Sequence, residues 1–385
     1  MENNKITSLI LAAGYSSRMG TFKPLLNLGE ITVIERVIRL FQSAGIADIR
    51  VVTGYRSTEL QALSEQAGAR SIFNEHFEQG MFSSVTTGIK SLEPDREAFF
   101  VLPADIPLVR TGTLLDLLNA YHLQKGNIIY PVFQDTRGHP SLISTCYAKK
   151  IESWSGQGGL RAFLEQYEKH ASDVDVADEC ILLDADTPSD YKKLLIRYKQ
   201  YDIPTKDECM TLMNKIFRVE NHIVEHCREV ARVALVLGKE LNRNGCEMDL
   251  DLICAGALLH DLARKKPYHA TAGAKILNDL GYPRVAEVVA THVDIHIRDQ
   301  APVSASEVVC LADKLVQGNR IVSLETRFEG KMNRHADNPG AKKGIKNRLE
   351  NALRMKQRLE KIIDMPLETV LQIPVPSHEQ AKHKK

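Results

Sequence analysis

Gly14, Arg18, Gly20 and Lys23 follow one another directly after an apolar run, Leu9 to Ala13. A buried run that delivers backbone amides, a guanidinium and an ammonium into one loop is suited to holding polyphosphate. The glycines let the backbone turn and approach a ligand closely, and Arg18 can grip oxygens bidentately. Glycine and serine also favour an ordinary strand-to-helix turn, which stands beside that reading. Asp105 lies between Pro103 and Pro107, at the tip of the apolar run Ala98 to Leu102. A lone carboxylate there reads as a magnesium ligand for a nucleotide, or as a cap of the following helix. In the second half His226, the adjacent pair His260-Asp261 and Asp313 sit in apolar, helical surroundings. Buried charge is costly unless paired or metal-bound, so imidazoles and carboxylates from three helices suit a divalent transition metal. Taken singly, each also fits a satisfied core histidine or a helix cap.

The elements that must position these groups follow from periodicity. Leu9 to Ala13, Ile49 to Val52, Ser71 to Phe73 and Ala98 to Leu102 read as strands, and Ile31 to Phe41 has helical spacing. Strands separated by amphipathic helices predict an α/β, doubly wound, mostly parallel sheet covered on both faces. Ligands of such sheets lie beyond the carboxyl ends of the strands, where Gly14 and Asp105 both fall. Ser189 to Tyr201 is helical and Pro204 ends it. Thr205 to Glu208 has the spacing of a capping box that opens an all-α second half. There His226 is expected on a helix from Lys206 or Met213 to Leu241, and His260-Asp261 inside a nearly all-apolar helix from Asp251 to Ala263. His222, four residues before His226, is read as packing or as a support behind the metal ligands, and Asp294 and His296 as surface residues. Arg264-Lys265-Lys266 reads equally as a phosphate grip or as the solvated end of a helix, where cations are favoured. Ile345 to Ile363 has the pattern of a packing or dimerisation helix, and the end after Pro374 reads as disordered. The expected domains are therefore 1–200, 205–335, and a basic helical extension with a disordered tail over 336–385.

The totals exclude several classes. A chain of 385 residues has length for two domains, and a formal net charge of +1 argues against nucleic acid or an anionic membrane as partner. No apolar run is long enough to span a bilayer, and the first residues contain no signal-peptide core. Seven cysteines, an odd number with no Cys-x-x-Cys pair, fit reduced thiols and a cytoplasmic location.

The loop is neither a Walker P-loop, since Gly14 and Gly20 stand one residue too far apart, nor a Gly-x-Gly-x-x-Gly fingerprint. Leu11-Ala12-Ala13-Gly14, Ser16-Ser17-Arg18-Met19-Gly20 and Lys23-Pro24-Leu25-Leu26 resemble the signature of the molybdenum cofactor cytidylyltransferases. The resemblance continues in order through Gly80-Met81-Phe82-Ser83-Ser84, Asp105-Ile106-Pro107, Gly138-His139-Pro140, Gly158-Gly159-Leu160-Arg161 and Asp184-Ala185-Asp186-Thr187-Pro188, covering about residues 6–195. It implies a nucleotidyltransferase that moves a cytidylyl group from CTP, or another NTP, to molybdopterin and releases pyrophosphate. It implies nucleotide contacts from Leu11, Ala12, Ala13, Gly14, Ser16, Ser17, Arg18, Lys23, Gly80, Ser83 and Ser84, and acceptor contacts from Gly138, His139, Pro140 and Arg161. Magnesium would be held by Asp105 and Asp186, with Arg18 and Lys23 steadying the pyrophosphate. A molybdoenzyme is the implied acceptor protein. Ala12-Ala13 resembles the CTP-using branch, whereas Ala104 stands where that branch carries glycine before the aspartate. GTP as donor, or a sugar or alditol phosphate as acceptor, is the alternative.

The order His226, His260-Asp261, Asp313 resembles the HD phosphohydrolase superfamily over about residues 215–325. That implies a metal-dependent phosphohydrolase centre liganded by those four residues, with Asp261 catalytic and Mn, Fe, Ni or Zn as the metal. His269 and His292 resemble the extra histidines of some subfamilies, which bind a second metal or the substrate phosphate. A nucleotide-sensing regulatory module is the alternative for this half, and homo-oligomerisation is compatible with the pattern.

Overall fold

The computed structural model describes residues 3–297, 300–334 and 337–372. The chain divides into two units, Met1–Tyr201 and Asp202–Lys385.

Six consecutive buried positions make β1 (Ile6–Leu11) the middle of the first unit. It is followed by α1 (Val33–Ser43), β2 (Asp48–Thr53), α2 (Ser57–Gln66), β3 (Arg70–Phe73), α3 (Met81–Lys90), β4 (Ala98–Pro103) and α4 (Thr111–His122). Then come β5 (Ile128–Phe133), β6 (Ser141–Ser144), α5 (Gly159–Glu165), β7 (Ala171–Asp175) and α6 (Pro188–Lys199). The strands lie in the order β7-β5-β6-β4-β1-β2-β3, with Thr136–Arg137 paired onto β5. Every neighbouring pair in that order is parallel except those of β6, which runs antiparallel to β4 and β5. The α/β, doubly wound and mostly parallel sheet is therefore present. Both faces are covered, as the continuous apolar runs require. Ile10, Phe100 and Leu102 share a cluster with Ile34, Val37, Ile38 and Phe41 of α1 and Leu114 and Leu117 of α4. Leu9, Leu11, Phe99 and Val101 face Val85 and Ile89 of α3 and Phe163 and Leu164 of α5.

The first strand ends at Leu11, two residues short of the expected limit, because Ala12 and Ala13 already leave the ladder to begin the loop. Their backbone is held beside β2 by Ala12 N–H to Val52 O at 2.9 Å and Tyr55 N–H to Ala13 O at 3.1 Å.

At the other end of the sheet Arg50, 1 % exposed, donates to both oxygens of Asp48, at 2.9 and 2.7 Å, and also reaches Ser91 and Glu93. Burial opposes the charge on Asp48, but Arg50, Thr7 and Arg96 outweigh it and hold the carboxyl below its ordinary value of 3.8. A depressed folded value contributes stability above the unfolded pKa that is lost as pH falls through the folded one. The stability of wild type, followed by far-UV circular dichroism between pH 5 and 2, is expected to fall below about pH 4. Asp48→Asn is expected to be less stable at pH 7 and to flatten that part of the profile.

The second unit is helical: α7 (Lys206–Thr211), α8 (Asn221–Arg243), α9 (Leu250–Leu259), α10 (His269–Asp279), α11 (Pro283–Thr291), α12 (Ala305–Lys314), α13 (Leu324–Arg334) and α14 (Pro339–Ile363). Thr205 caps α7 in a reciprocal pair with Glu208. The single helix expected from Lys206 or Met213 to Leu241 is instead two. A π-helical turn over Leu212–Ile216 ends the first, Arg218 takes a left-handed φ of +48°, and α8 begins only at Asn221. The helix expected around His260-Asp261 also ends early, at Leu259, so His260 caps it and Asp261 lies just beyond its end rather than inside it. His260 uses its own ring to satisfy the Ala257 carbonyl there. Ile345, Ala352, Met355, Leu359 and Ile363 of α14 are buried, which makes it a packing helix of this unit. The expected disordered tail falls outside the described residues. No described helix is long and apolar enough to cross a membrane.

Gly256 lets α9 approach α11: a Cβ there would stand 2.5 Å from Val288 Cγ1 and 3.2 Å from its Cβ. Valine is stiff in a helix and cannot swing aside. Gly256→Ala is expected to cost about 1–3 kcal/mol by overpacking, measured as a lower urea midpoint.

Candidate functional sites

The loop after β1 caps a cavity of about 240 Å³ lined by Leu11, Ala12, Gly14, Ser16, Ser17, Arg18 and Lys23, with Met81, Ala104, Asp105 and Asp186 opposite. Ser16 adopts φ +56°, so the loop folds back on itself and the Ser16 hydroxyl accepts from Lys23 N–H at 3.1 Å. Gly20, at φ +73°, carries the second bend. Ala104 N–H donates to Leu11 O at 3.0 Å, which sets Asp105 beside the loop. Ala185 N–H in turn donates to Asp105 O at 3.0 Å, laying residues 184–186 against it. Thr187, capping α6 with Asp190, fixes where that segment ends.

The side chains then converge. Lys23 Nζ lies 2.9 Å from Asp105 Oδ2 and 2.6 Å from Asp186 Oδ1, and Arg18 Nη1 lies 2.9 Å from Asp186 Oδ2. Burial disfavours the Lys23 charge, but the bonds to Asp186 and Asp105 outweigh it and raise the ammonium above its ordinary value. Burial, together with Asp186 and Asp105, pushes the Asp184 carboxyl up. Asp184 is thus a third acidic group at the site, which the reading of the sequence left without a role. An all-carboxylate set of this kind fits magnesium, a hard cation that takes oxygen ligands.

Other expected residues do not line the cavity. Asn74, buried and not foreseen, donates to Ser83 Oγ at 2.9 Å and Ser84 Oγ at 3.0 Å, and Met81 takes the lining position instead. Gly138 leaves no room for a side chain against Ile181, and His139 precedes a cis Pro140. Burial lowers the His139 pKa although Asp105 opposes it, and Nδ1 is buried without a hydrogen-bond partner. Arg161 is exposed and pairs with Glu165 at 2.9 Å.

The second cluster is built on helix ends. His226 Nδ1 donates to Gly318 O at 2.8 Å, His260 Nδ1 to Ala257 O at 2.8 Å, and His292 Nδ1 to Val289 O at 2.7 Å. A carbonyl can only accept, so each ring donates from Nδ1 and turns its Nε2 inward. Burial opposes the charge on His226, but the Asp313 carboxylate facing it outweighs that and raises the ring's pKa. His226 Nε2 faces Asp313 Oδ1 at 3.1 Å, and His260 Nε2 faces Asp261 Oδ2 at 3.6 Å. Asp261 Oδ1 stands 3.3 Å from His269 Nε2 and 3.6 Å from His292 Nε2. Those two nitrogens are themselves 3.2 Å apart, and Arg264 Nη1 lies 3.1 Å from His269 Nε2. Acceptors this close need a cation or proton between them. His260 Nε2 carries the test furthest: it is fully buried, has no hydrogen-bond partner, and burial pushes the ring down to about 4, leaving it a neutral donor of electrons. Burial opposes the charge on Asp261, but His260, His269, His292 and Arg264 outweigh it and hold the carboxyl ionised. Nitrogen and carboxylate donors tethered through their far nitrogens fit a divalent transition metal. Among the described residues two groups satisfy the spacing, His226 with His260 and Asp261, and Asp261 with His269 and His292. Lys314 was not foreseen. It is buried directly after Asp313 and donates to Asp313 Oδ2 and to His292 O, both at 2.8 Å, tying the two groups together.

Comparison with known proteins matches two stretches of the chain to families. Residues 8–171 match the MobA-like NTP transferase domain and residues 223–317 match the HD domain. Molybdenum cofactor cytidylyltransferase of Escherichia coli (strain K12) is 29% identical over 197 residues, 51% of this chain and 98% of the relative. A probable molybdenum cofactor guanylyltransferase of Bacillus mycoides (strain KBAB4) is 24% identical over 202 residues, 44% of this chain and 98% of the relative. The crystal structure of Rv0371c from Mycobacterium tuberculosis H37Rv is 26% identical with a TM-score of 0.46, covering 51% of this chain and all of that one. The chain therefore carries a nucleotidyltransferase domain of the MobA-like NTP transferase family and, after it, an HD domain.

Proposed function

We propose that the first domain transfers a cytidylyl group from CTP to molybdopterin and that the HD domain is a metal-dependent phosphohydrolase. The observation that carries the first part is Lys23 Nζ held between Asp105 and Asp186 on the floor of the loop cavity. A terminal phosphate oxygen of molybdopterin bonds to the α-phosphorus of CTP, the bond to the bridging oxygen breaks, and pyrophosphate leaves with that electron pair. Asp105 and Asp186 would hold magnesium, which when bound neutralises charge spread over the phosphates. Arg18, 72 % exposed at the rim, is free to swing from Asp186 onto the leaving pyrophosphate, and Lys23 stays protonated beside it. Gly14, Ser16 and Ser17 offer backbone and hydroxyl groups to the same oxygens, while Gly80, Ser83 and Ser84 border the nucleotide. Gly138, His139 and Pro140 face the acceptor, with Arg161 on that side, and His139 is kept neutral by burial.

CTP as donor is supported by Ala12-Ala13 and by the cytidylyltransferase relative. Pyrophosphate release with magnesium and molybdopterin tests it: CTP is expected to exceed GTP at least tenfold. Preference for GTP would move the donor, release with an alditol phosphate alone would move the acceptor, and no release from any NTP would remove the reading.

In the HD domain His226, His260, Asp261 and Asp313 would hold a metal such as Mn, Fe, Ni or Zn, and Asp261, His269 and His292 a second metal or the substrate phosphate. A metal so placed lowers the pKa of bound water and polarises a phosphoryl oxygen. Lys314 keeps Asp313 oriented by binding its outer oxygen. All seven cysteines are free thiols, which supports a reducing, cytoplasmic setting.

A further inference from the structure

The segment joining Asp261 to His269 carries a guanidinium at the edge of the metal cluster and, beyond it, an aromatic ring that the cluster does not use. Arg264 Nη1 lies 3.4 Å from Asp261 Oδ1 and 3.1 Å from His269 Nε2, so one guanidinium overlooks the cluster directly. Lys265 and Lys266 follow it and are exposed, Lys265 pairing with Glu220 at 2.5 Å. Tyr268 then precedes His269 at the start of α10 with φ +49°, a left-handed conformation uncommon for a bulky residue. Its exposure is 88%, against 65% for Ile196, the next most exposed of the large apolar side chains described. Among the described residues the Tyr268 ring takes part in no ring or cation contact. A strained backbone that holds a large aromatic ring in water has no packing reason to persist. One residue away, His269 Nε2 points into the cluster, 3.2 Å from His292 Nε2, where the fully buried His260 Nε2 lacks a hydrogen-bond partner.

Resting on the phosphohydrolase reading, we propose that Tyr268 is the platform on which the HD domain stacks a planar heteroaromatic ring, while Arg264 meets the phosphate of the same molecule. The substrate class is a phosphate ester carrying such a ring, a purine nucleotide or a phosphorylated pterin. Guanidinium groups suit phosphate, and every nucleobase or pterin offers a flat face to an aromatic side chain. Lys266 and Lys265, between the two contacts, add attraction for the same anion.

Orthophosphate release from AMP and from ribose 5-phosphate, which share the phosphate and differ by the ring, tests this on the full chain loaded with manganese. Wild type is expected to prefer AMP. The ratio of the two KM values should fall about tenfold in Tyr268→Ala and be retained in Tyr268→Phe. Equilibrium dialysis of both compounds reads the same preference without turnover. Weaker AMP retention in Tyr268→Ala with no phosphate release would keep ring recognition and remove the hydrolase reading. Equal AMP retention in wild type and Tyr268→Ala, with or without release, would overturn ring recognition. With 6-hydroxymethylpterin phosphate run alongside, the compound more weakened by Tyr268→Ala identifies the ring.

Discussion

Asp186→Asn is expected to lower the kcat of pyrophosphate release by about 10²–10³-fold, the usual loss when one charge-stabilising group is removed from a phosphoryl or acyl transfer site. Asp186 holds both cations, Lys23 at 2.6 Å and Arg18 at 2.9 Å, and its carboxylate is one of the two proposed for magnesium. Asparagine keeps the volume and one carbonyl oxygen but removes the charge. Lys23 would then lean on Asp105 alone, and Arg18 would lose its anchor. Asp186 is partly exposed at a cavity rim, so the fold should survive, and far-UV circular dichroism provides the control. The loss should sit in kcat because the missing charge matters most as negative charge moves onto the leaving pyrophosphate. A change confined to KM would make Asp186 a residue of ground-state binding only.

The second large effect is expected at Asp261. Its two oxygens face different histidines, Oδ2 towards His260 and Oδ1 towards His269 and His292. Asp261→Asn removes the one carboxylate common to both candidate metal groups. Metal content by elemental analysis is expected to fall at least tenfold, and orthophosphate release by about a hundredfold or more. Removing a buried anion also leaves Arg264 without its counter-charge, so a lower melting temperature is expected. Pyrophosphate release should persist, because the transferase site draws all its groups from a unit with its own core. His260→Ala is a weaker test of the same point, since His260 is completely buried and its loss also opens a void.

Much of each centre was legible because its residues are contiguous. Gly14 to Lys23 forms one loop, and the pair His260-Asp261 stands out inside an apolar run. The rest depended on closure over distance. Lys23 meets Asp105 across 82 positions and Asp186 across 163, and no local pattern announces that one ammonium ends between two remote carboxylates. Likewise the Nε2 atoms of His226, His260 and His292 turn inward because each ring spends Nδ1 on a backbone carbonyl, two of them at the end of their own helix. That also explains the misplaced helix end at His260: apolar periodicity runs on past Leu259, while the ring claims the carbonyl a longer helix would have used. The break between α7 and α8 was hidden for a related reason, since Arg218 is neither glycine nor proline and gives no sign of a left-handed turn. β5 and β6 escaped notice because Pro131 interrupts the first and the second is only four residues long. Lys314 has no assigned role in the sequence because only the fold shows it buried against Asp313 and the His292 carbonyl.

Two separate phosphoryl-transfer centres in one chain is the central claim, and one crossed assay tests it most directly. Wild type, Asp186→Asn and Asp261→Asn are incubated with magnesium, manganese, CTP, molybdopterin and AMP, and pyrophosphate and orthophosphate are read from the same samples. Wild type should yield both products, Asp186→Asn should lose pyrophosphate alone, and Asp261→Asn should lose orthophosphate alone. Loss of both products in either variant that retains wild-type circular dichroism, or wild type yielding only one, would contradict it.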